Sequence, residues 1–187
     1  MQLQRRMLYI PVLHIDTNLI NARQRLPAVN RLEQWCKEEI ILINMSATAH
    51  QEAQAGGSED RTQKANQQIF TVTEPVSETD PLFKKVGDAL FPQGIADEGQ
   101  GNDVRIVCEA AKYQAILVTS DGASKSQPGG ILGNRNKLNG LVQVMSPNEA
   151  VAFVRGKLVE RDEFNKRFVA EFGGDLPSWT GKDAGDA

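Results

Sequence analysis

Acidic residues follow short apolar runs at two places in this chain, and a third acid opens a helical pattern. Asp16 ends a run that begins at Val12, Asp121 follows a run that begins at Ile116, and Asp103 precedes apolar residues at helical spacing. Because the carboxyl ends of parallel strands meet at one edge of a sheet, acids at such positions can converge. Clustered carboxylates repel one another unless a hard cation neutralises them, which favours Mg²⁺ or Mn²⁺.

The composition is that of an ordinary globular domain. The chain has 187 residues, and 21 Lys plus Arg against 24 Asp plus Glu give a net charge of −3. It therefore lacks the basic field of a dedicated nucleic-acid binder, and any nucleic-acid contact must be local or assisted by a metal. Cys36 and Cys108 lie far apart within helical patterns, which favours buried thiols and a reducing cytoplasm. No stretch approaches the roughly 20 apolar residues of a membrane span, so we expect no membrane association.

The first half of the chain predicts alternating strands and helices. Val12 to Ile15 predicts a short strand, and Val29, Leu32 and Cys36 give a helix its apolar face. The continuous apolar run from Ile40 to Ile43 predicts a central strand covered on both faces, and a capping box at Thr48 predicts the start of the next helix.

The second half continues the alternation. Asn102 is a suitable N-cap, which would place Asp103 in the first turn of a helix. Strands are predicted from Ala115 to Thr119 and from Leu141 to Met145. Ser146 and the three residues after it form a helix start with a capping box.

The C-terminal part predicts a helix and a tail. Phe164, Phe168 and Phe172 recur at intervals of four, as on one face of a helix that Gly173 would end. We expect a main domain over residues 8–158, a C-terminal helix over 159–174 that packs on it or extends from it, and a flexible tail over 175–187.

The acids and their neighbours resemble the PIN-domain nucleases over about residues 12–154. The shared pattern consists of an acid after the first strand, an acid on the helix after the second strand, an acid on a later helix and an acid after the next strand. In this chain these are Asp16-Thr17-Asn18, Glu52, Asp103 and Thr119-Ser120-Asp121. The resemblance implies a three-layer α/β/α sandwich around a mainly parallel sheet, with Asp16, Glu52, Asp103 and Asp121 as catalytic metal ligands. It implies that Asn18 and Ser120 support them.

The activity implied by the resemblance is that of an Mg²⁺- or Mn²⁺-dependent endoribonuclease. Water would attack the phosphodiester and leave a 5′-phosphate, with Glu52 as an outer or water-orienting ligand. Lys125, Arg135 and Lys137 are candidates for contacting substrate phosphates. RNA is the expected substrate, with DNA left open. A homodimer through the Phe164 face and a protein inhibitor, as in toxin–antitoxin pairs, are also compatible with the resemblance.

Several alternatives stay open at this point. Asp16 and Asp121 have the residue type of helix caps or turns, Asp103 suits a first helical turn, and Asp97 and Glu98 either join the cluster or solvate a loop. A dehalogenase-like phosphatase is disfavoured, because it needs an Asp-x-Asp pair where this chain has Asp16-Thr17-Asn18. A dinucleotide-binding domain is disfavoured because the first turn lacks its glycine fingerprint. The main alternative is a catalytically silent PIN-like module that binds RNA or a protein.

Overall fold

A computed structural model describes residues 2–20, 25–55, 57, 59–68, 73–122 and 128–185 of the chain. Four short strands alternate with helices. The strands are β1 (Leu13–Ile15), β2 (Ile43–Met45), β3 (Ile116–Val118) and β4 (Gln143–Met145). The helices are α1 (Pro27–Lys37), α2 (Ala47–Ala55), α3 (Glu59–Gln68), α4 (Pro81–Leu90), α5 (Glu98–Lys112), α6 (Gly130–Gly133) and α7 (Pro147–Phe172). Two 3-10 turns cover Thr17–Leu19 and Arg135–Leu138.

The four strands form one parallel sheet in the order β2-β1-β3-β4. Leu13 of β1 is paired with Ile43 on one side and with Ile116 on the other. The crossover through α1 and the crossover through α2 to α5 run in opposite directions along the sheet, so right-handed connections place them on opposite faces. Accordingly, α1 contacts α7, while α5 contacts both α2 and α4. The predicted α/β fold, with helices flanking a parallel sheet, is confirmed.

The second strand differs from its prediction. The apolar run from Ile40 to Ile43 was expected to form a central strand, but β2 begins only at Ile43 and lies at an edge of the sheet. Ile40 and Ile41 are buried before the strand begins, and the Ile40 amide bonds to the carbonyl of Trp35 at the end of α1. An apolar run indicates that its residues are buried. It does not distinguish a strand from a turn that packs under a helix.

Two helices begin earlier than the sequence predicted. The Oγ of Ser46, and not Thr48, accepts the Ala49 amide at the start of α2, at 3.1 Å. The N-cap of α5 is Asp97, whose side chain accepts the amide of Gln100. Asp103 consequently lies in the second turn of α5 and not in the first.

Helix α7 is one continuous helix of 26 residues, so the predicted C-terminal helix is its second half. Its start confirms the capping box, with Ser146 accepting the Glu149 amide and Glu149 accepting that of Ser146. At its other end the rings of Phe164, Phe168 and Phe172 lie in a row, 6.3 and 4.9 Å apart between centroids.

The tail that composition suggested to be flexible makes defined contacts as far as residue 185. Asp183 is buried beside Arg161 of α7, at 3.0 Å, and its carbonyl accepts the indole N–H of Trp35. Arg6 binds the same carboxylate at 2.8 Å. The tail thereby ties the N-terminal segment to α1 and α7.

No described helix combines the length and the apolar character that crossing a membrane requires.

Candidate active site

The carboxylate of Asp16 lies where β1 ends. One oxygen accepts the Thr17 amide at 2.6 Å, so the residue does cap the turn that follows. The other oxygen accepts hydrogen bonds from the hydroxyl of Thr119 at 2.6 Å and from the side-chain amide of Asn18 at 2.8 Å. Thr119 is buried directly after β3, the strand next to β1. Asp16 is therefore only 6% exposed and is bonded across the ends of two neighbouring strands.

Asp121 is held at the same edge by the loop that leaves β3. Its amide donates to the Oγ1 of Thr119 at 2.9 Å, and its Oδ2 accepts the amide of Ile131 at 2.8 Å. The glycine before Ile131 makes this possible. Gly130 has φ +53°, and a Cβ there would lie 2.5 Å from the Asp121 carboxylate. Only glycine lets the backbone approach this closely in this conformation.

Glu52 projects from α2 toward the same network. Its two oxygens accept hydrogen bonds from the hydroxyl of Thr17 at 2.7 Å and from the side-chain amide of Asn102 at 2.8 Å. The start of α2 is fixed separately by the buried Glu109 of α5, which accepts the Thr48 hydroxyl at 2.7 Å. Two carboxylates thus anchor α2 to α5, and Glu52 is the one that faces the sheet edge.

Asp103 differs from the other three acids because its carboxylate has no hydrogen-bond partner among the described residues. Its pKa is raised to about 7, most strongly by burial and then by the charges of Asp121, Asp16, Glu52 and Asp97, in that order. Burial also raises the pKa of Asp16 to about 6, with added repulsion from Glu52 and Asp121 and an opposing contribution from its hydrogen bonds. The fold therefore brings the four predicted acids within electrostatic reach of one another.

Carboxylate oxygens are the ligand type that a hard cation prefers, but these acids are not arranged as a complete set of metal ligands. Within the described residues, no group of three or more His, Cys, Asp or Glu side chains is arranged to hold a metal ion. Mg²⁺ is usually held by one or two carboxylates, with waters and substrate phosphates completing its shell. Asp103 and the Oδ1 of Asp121 are the oxygens that no described donor occupies. An ion bound between them would fit that pattern.

The two predicted supporting residues contact each other beside Asp16. The Oδ1 of Asn18 accepts the hydroxyl of Ser120 at 3.0 Å, while the amide of Asn18 donates to Asp16. Of the two additional acids, Asp97 caps α5, and Glu98 lies exposed in its first turn.

Of the three predicted phosphate-binding residues, the structure describes Arg135 and Lys137. Arg135 donates to both oxygens of Glu149, at 2.9 and 2.8 Å, and so belongs to the start of α7. Lys137 is exposed and lines a cleft beside α5. Lys125 lies outside the described residues.

Sequence reasoning assigned no role to several residues that position the acids. Thr17 and Thr119 stand inside the quoted motifs, and their hydroxyl groups next to acids were the available signal. Asn102 was expected to cap a helix but bonds to Glu52, and Gly130 was one of many glycines in a polar loop. Nothing in the sequence pattern connects Asn102 or Gly130 to its distant partner.

Comparison with known proteins gives a limited result. No protein-family model matches the chain, and no curated protein matches it. Among solved structures the chain is similar to FitAB bound to an IR36 DNA fragment, with 17% identity and a TM-score of 0.43. The similarity covers 73% of this chain and 94% of the other. At this level it transfers no residue role, so the site depends on the geometry described above.

Proposed function

We propose that this protein is a divalent-metal-dependent nuclease that hydrolyses phosphodiester bonds, with RNA as the favoured substrate and Mg²⁺ or Mn²⁺ as the cofactor. The observation that carries the proposal is Asp103. It is a partly buried carboxylate that receives no hydrogen bond from the described residues and faces the charges of four other acids. A structural carboxylate in this position would be expected to have a basic partner, and the described residues provide none. A bound cation would supply the missing positive charge.

The residues divide into two roles in this proposal. Asp103 and Asp121 would hold the ion, with Asp16 near enough to contribute its field or an oxygen. Glu52 has both oxygens occupied by Thr17 and Asn102, which suits an outer position more than direct coordination. When bound, the ion supplies an activated water and stabilises negative charge on the phosphate.

The charge of the site also makes the cation necessary for binding substrate. No Lys or Arg pairs with any of the four acids within the described part of the chain, and the net charge of the whole protein is −3. A nucleic-acid backbone would be repelled by four unneutralised carboxylates. Binding of a substrate phosphate at the acids, and catalysis, should therefore both require the metal.

The direct test is a cleavage assay on matched single-stranded RNA and DNA oligonucleotides with a 3′ label. We expect cleavage with Mn²⁺ or Mg²⁺, none in EDTA, and products that carry a 5′-phosphate. Asp103→Asn should lower the rate by about 10²-fold or more, because it removes several kcal/mol of charge stabilisation in the transition state. Asp88→Asn is the matched control, since Asp88 is an exposed acid of α4 paired with Lys84. Cleavage that persists in EDTA would contradict the proposal.

The same assay tests the second candidate, a catalytically silent module of this fold that binds RNA or a protein. Two observations favour it: the described acids form no three-ligand group, and both oxygens of Asp16 accept hydrogen bonds. A silent module should show no cleavage with any divalent ion. Its binding of RNA or of a protein partner should also be indifferent to Mn²⁺ and to Asp103→Asn.

A further inference from the structure

A cleft of about 520 Å³ lies between α5 and the segment that follows β3. Its volume is within the range of small-molecule sites. Apolar surfaces of Phe91, Pro92 and Pro128 line it, together with the side chains of Gln100, Asn134 and Lys137. None of the described lining residues is acidic, in contrast to the neighbouring site.

The cleft shares its walls with the acid cluster. Gln100 precedes Asp103 by three residues on α5, which puts their side chains on the same face of the helix. On the other wall, the Nδ2 of Asn134 donates to the carbonyl of Gly130, which is the residue packed against Asp121. A ligand that extends from the acids along this face would therefore enter the cleft next.

Two amide side chains in the cleft are held in place and still have free hydrogen-bonding groups. Gln100 is 8% exposed, and its Oε1 accepts the Ala96 amide at 2.8 Å, while its Nε2 has no acceptor among the described residues. Asn134 uses its Nδ2 on the carbonyls of Gly130 and Pro128, at 2.8 and 3.2 Å, which leaves its Oδ1 to accept. Two residues that line the cleft thus keep one donor and one acceptor without a described partner.

The position of Lys137 adds a charge at the cleft. It is exposed, and within the described residues it forms no ion pair, unlike its neighbour Arg135. It lies on the 3-10 turn that follows Asn134 and lines the same cavity. A ligand with a flat, partly apolar body, a hydrogen-bonding edge and a phosphate matches the prolines, the two amides and this lysine together.

We propose that the cleft is a nucleotide subsite that selects the base next to the cleaved phosphate. The base would lie against Pro92 and Pro128, its edge would bond to the Nε2 of Gln100 and the Oδ1 of Asn134, and Lys137 would contact its phosphate. The place of this subsite in catalysis rests on the proposed nuclease function. Binding of the nucleotide itself does not, because it requires no metal. The consequence is a base preference at one position of the substrate.

Binding is tested with the full chain in EDTA by titrating the four nucleoside 5′-monophosphates while following backbone and side-chain amide NMR signals. We expect shifts at the Gln100 and Asn134 side-chain amides and at residues 90–100 and 128–137, with one base bound most tightly. Gln100→Met should reduce the preference by about fivefold, because it removes one hydrogen bond in a sheltered site. Lys137→Ala should weaken all four nucleotides by about two- to fivefold, the range of an exposed ionic contact.

Two controls make the experiment decisive. Lys166→Ala removes an exposed lysine of α7 outside the cleft, and it should change nothing. Ribose 5-phosphate, which lacks a base, should bind more weakly than the preferred nucleotide. Equal binding of ribose 5-phosphate, shifts confined to other surfaces, or a base preference unchanged in Gln100→Met would overturn the proposal. Since no metal is present, these results are independent of whether the protein cleaves RNA.

Discussion

Two clusters of buried or half-buried carboxylates lie in different parts of this molecule, and only one of them contains positively charged side chains among the described residues. At the junction of α7 with both termini, the carboxylates of Asp162 and Asp183 lie 2.8 and 3.0 Å from the guanidinium of Arg161. Arg161 is itself 1% exposed and stacks on Trp179, 4.2 Å from the ring centroid. At the carboxyl edge of the sheet, three acids accept hydrogen bonds from hydroxyl, side-chain amide or backbone groups, and Asp103 accepts none from the described residues.

The difference separates an internal support from a candidate site. A buried carboxylate that is paired with a guanidinium has its charge balanced within the folded chain. Removing the guanidinium therefore changes the stability of the protein. A carboxylate that receives only neutral donors, beside others of the same charge, raises the free energy of the folded protein at neutral pH. Such an arrangement is what a protein that binds an external cation would contain. The two clusters should therefore respond in opposite directions to the same kinds of change.

The largest effect is expected from removing the cation of the C-terminal cluster. Arg161→Met leaves the buried Asp162 without a cation and leaves Asp183 with Arg6 alone, which should lower the free energy of unfolding by about 3–5 kcal/mol. Urea denaturation followed by circular dichroism measures it. Arg167→Met, an exposed position on the same helix, should stay within about 0.5 kcal/mol of the unmodified protein. If Arg161→Met changed the free energy of unfolding as little as Arg167→Met, the cluster would not be what holds the tail in place.

A smaller effect on stability is expected at the loop that holds Asp121. Gly130→Ala introduces a Cβ against the Asp121 carboxylate at a positive φ, so we expect a loss of about 1–3 kcal/mol and a displaced carboxylate. Gly133→Ala is the matched control, because a Cβ there meets nothing within 4 Å. Cleavage activity should fall in the first variant and persist in the second. Equal behaviour of the two would argue against the close approach seen at Gly130.

The acids at the sheet edge should also make the stability of the protein depend on pH. The direction of this dependence is opposite to that produced by a carboxylate in an ion pair. The pKa of Asp103 is raised to about 7 and that of Asp16 to about 6, against an ordinary value of 3.8 for an aspartate side chain. The folded protein therefore binds more protons than the unfolded chain between about pH 4 and pH 7, and this contribution to stability is lost as the pH rises through that window. Above it, the repulsion is fully present.

Comparing the unmodified protein with Asp103→Asn isolates this contribution. In EDTA the variant should be the more stable protein at pH 8, and its advantage should shrink at pH 5, where Asp103 is protonated in the folded state. Thermal unfolding at the two pH values measures both differences. A difference that does not change with pH would contradict the assigned repulsion at Asp103.

The class of fold could be predicted from the sequence because the relevant signals are local. Apolar periodicity and the capping box at Ser146 identified the alternation of strands and helices and the start of α7. The first residue of a helix was harder to predict where more than one residue nearby can act as the N-cap. Both Asp97 and Asn102 can cap a helix, and the choice of Asp97 became visible only in the structure. The edge position of β2 is likewise a property of strand order, which a single apolar run does not encode.

The site shows the same division. The common sheet edge of Asp16 and Asp121 follows from parallel topology, so their proximity could be anticipated. The hydrogen bond between Asn102 and Glu52 joins residues that are 50 positions apart, and the packing of Gly130 against Asp121 depends on a positive φ at Gly130, so no spacing rule predicts either contact. Arg135 was a plausible phosphate ligand by charge alone, but the geometry assigns it to Glu149. The metal and its ligands stay a prediction.

Anomalous diffraction at the manganese edge, from crystals soaked in Mn²⁺, tests the central claim most directly because it compares both carboxylate clusters in one map. We predict a peak at coordination distance from the carboxylate oxygens of Asp103 and Asp121, and none beside Asp162 and Asp183, where Arg161 already supplies the charge. The peak should disappear in crystals of Asp103→Asn. A map without density at the sheet edge, at a Mn²⁺ concentration that saturates any cleavage activity, would contradict the account.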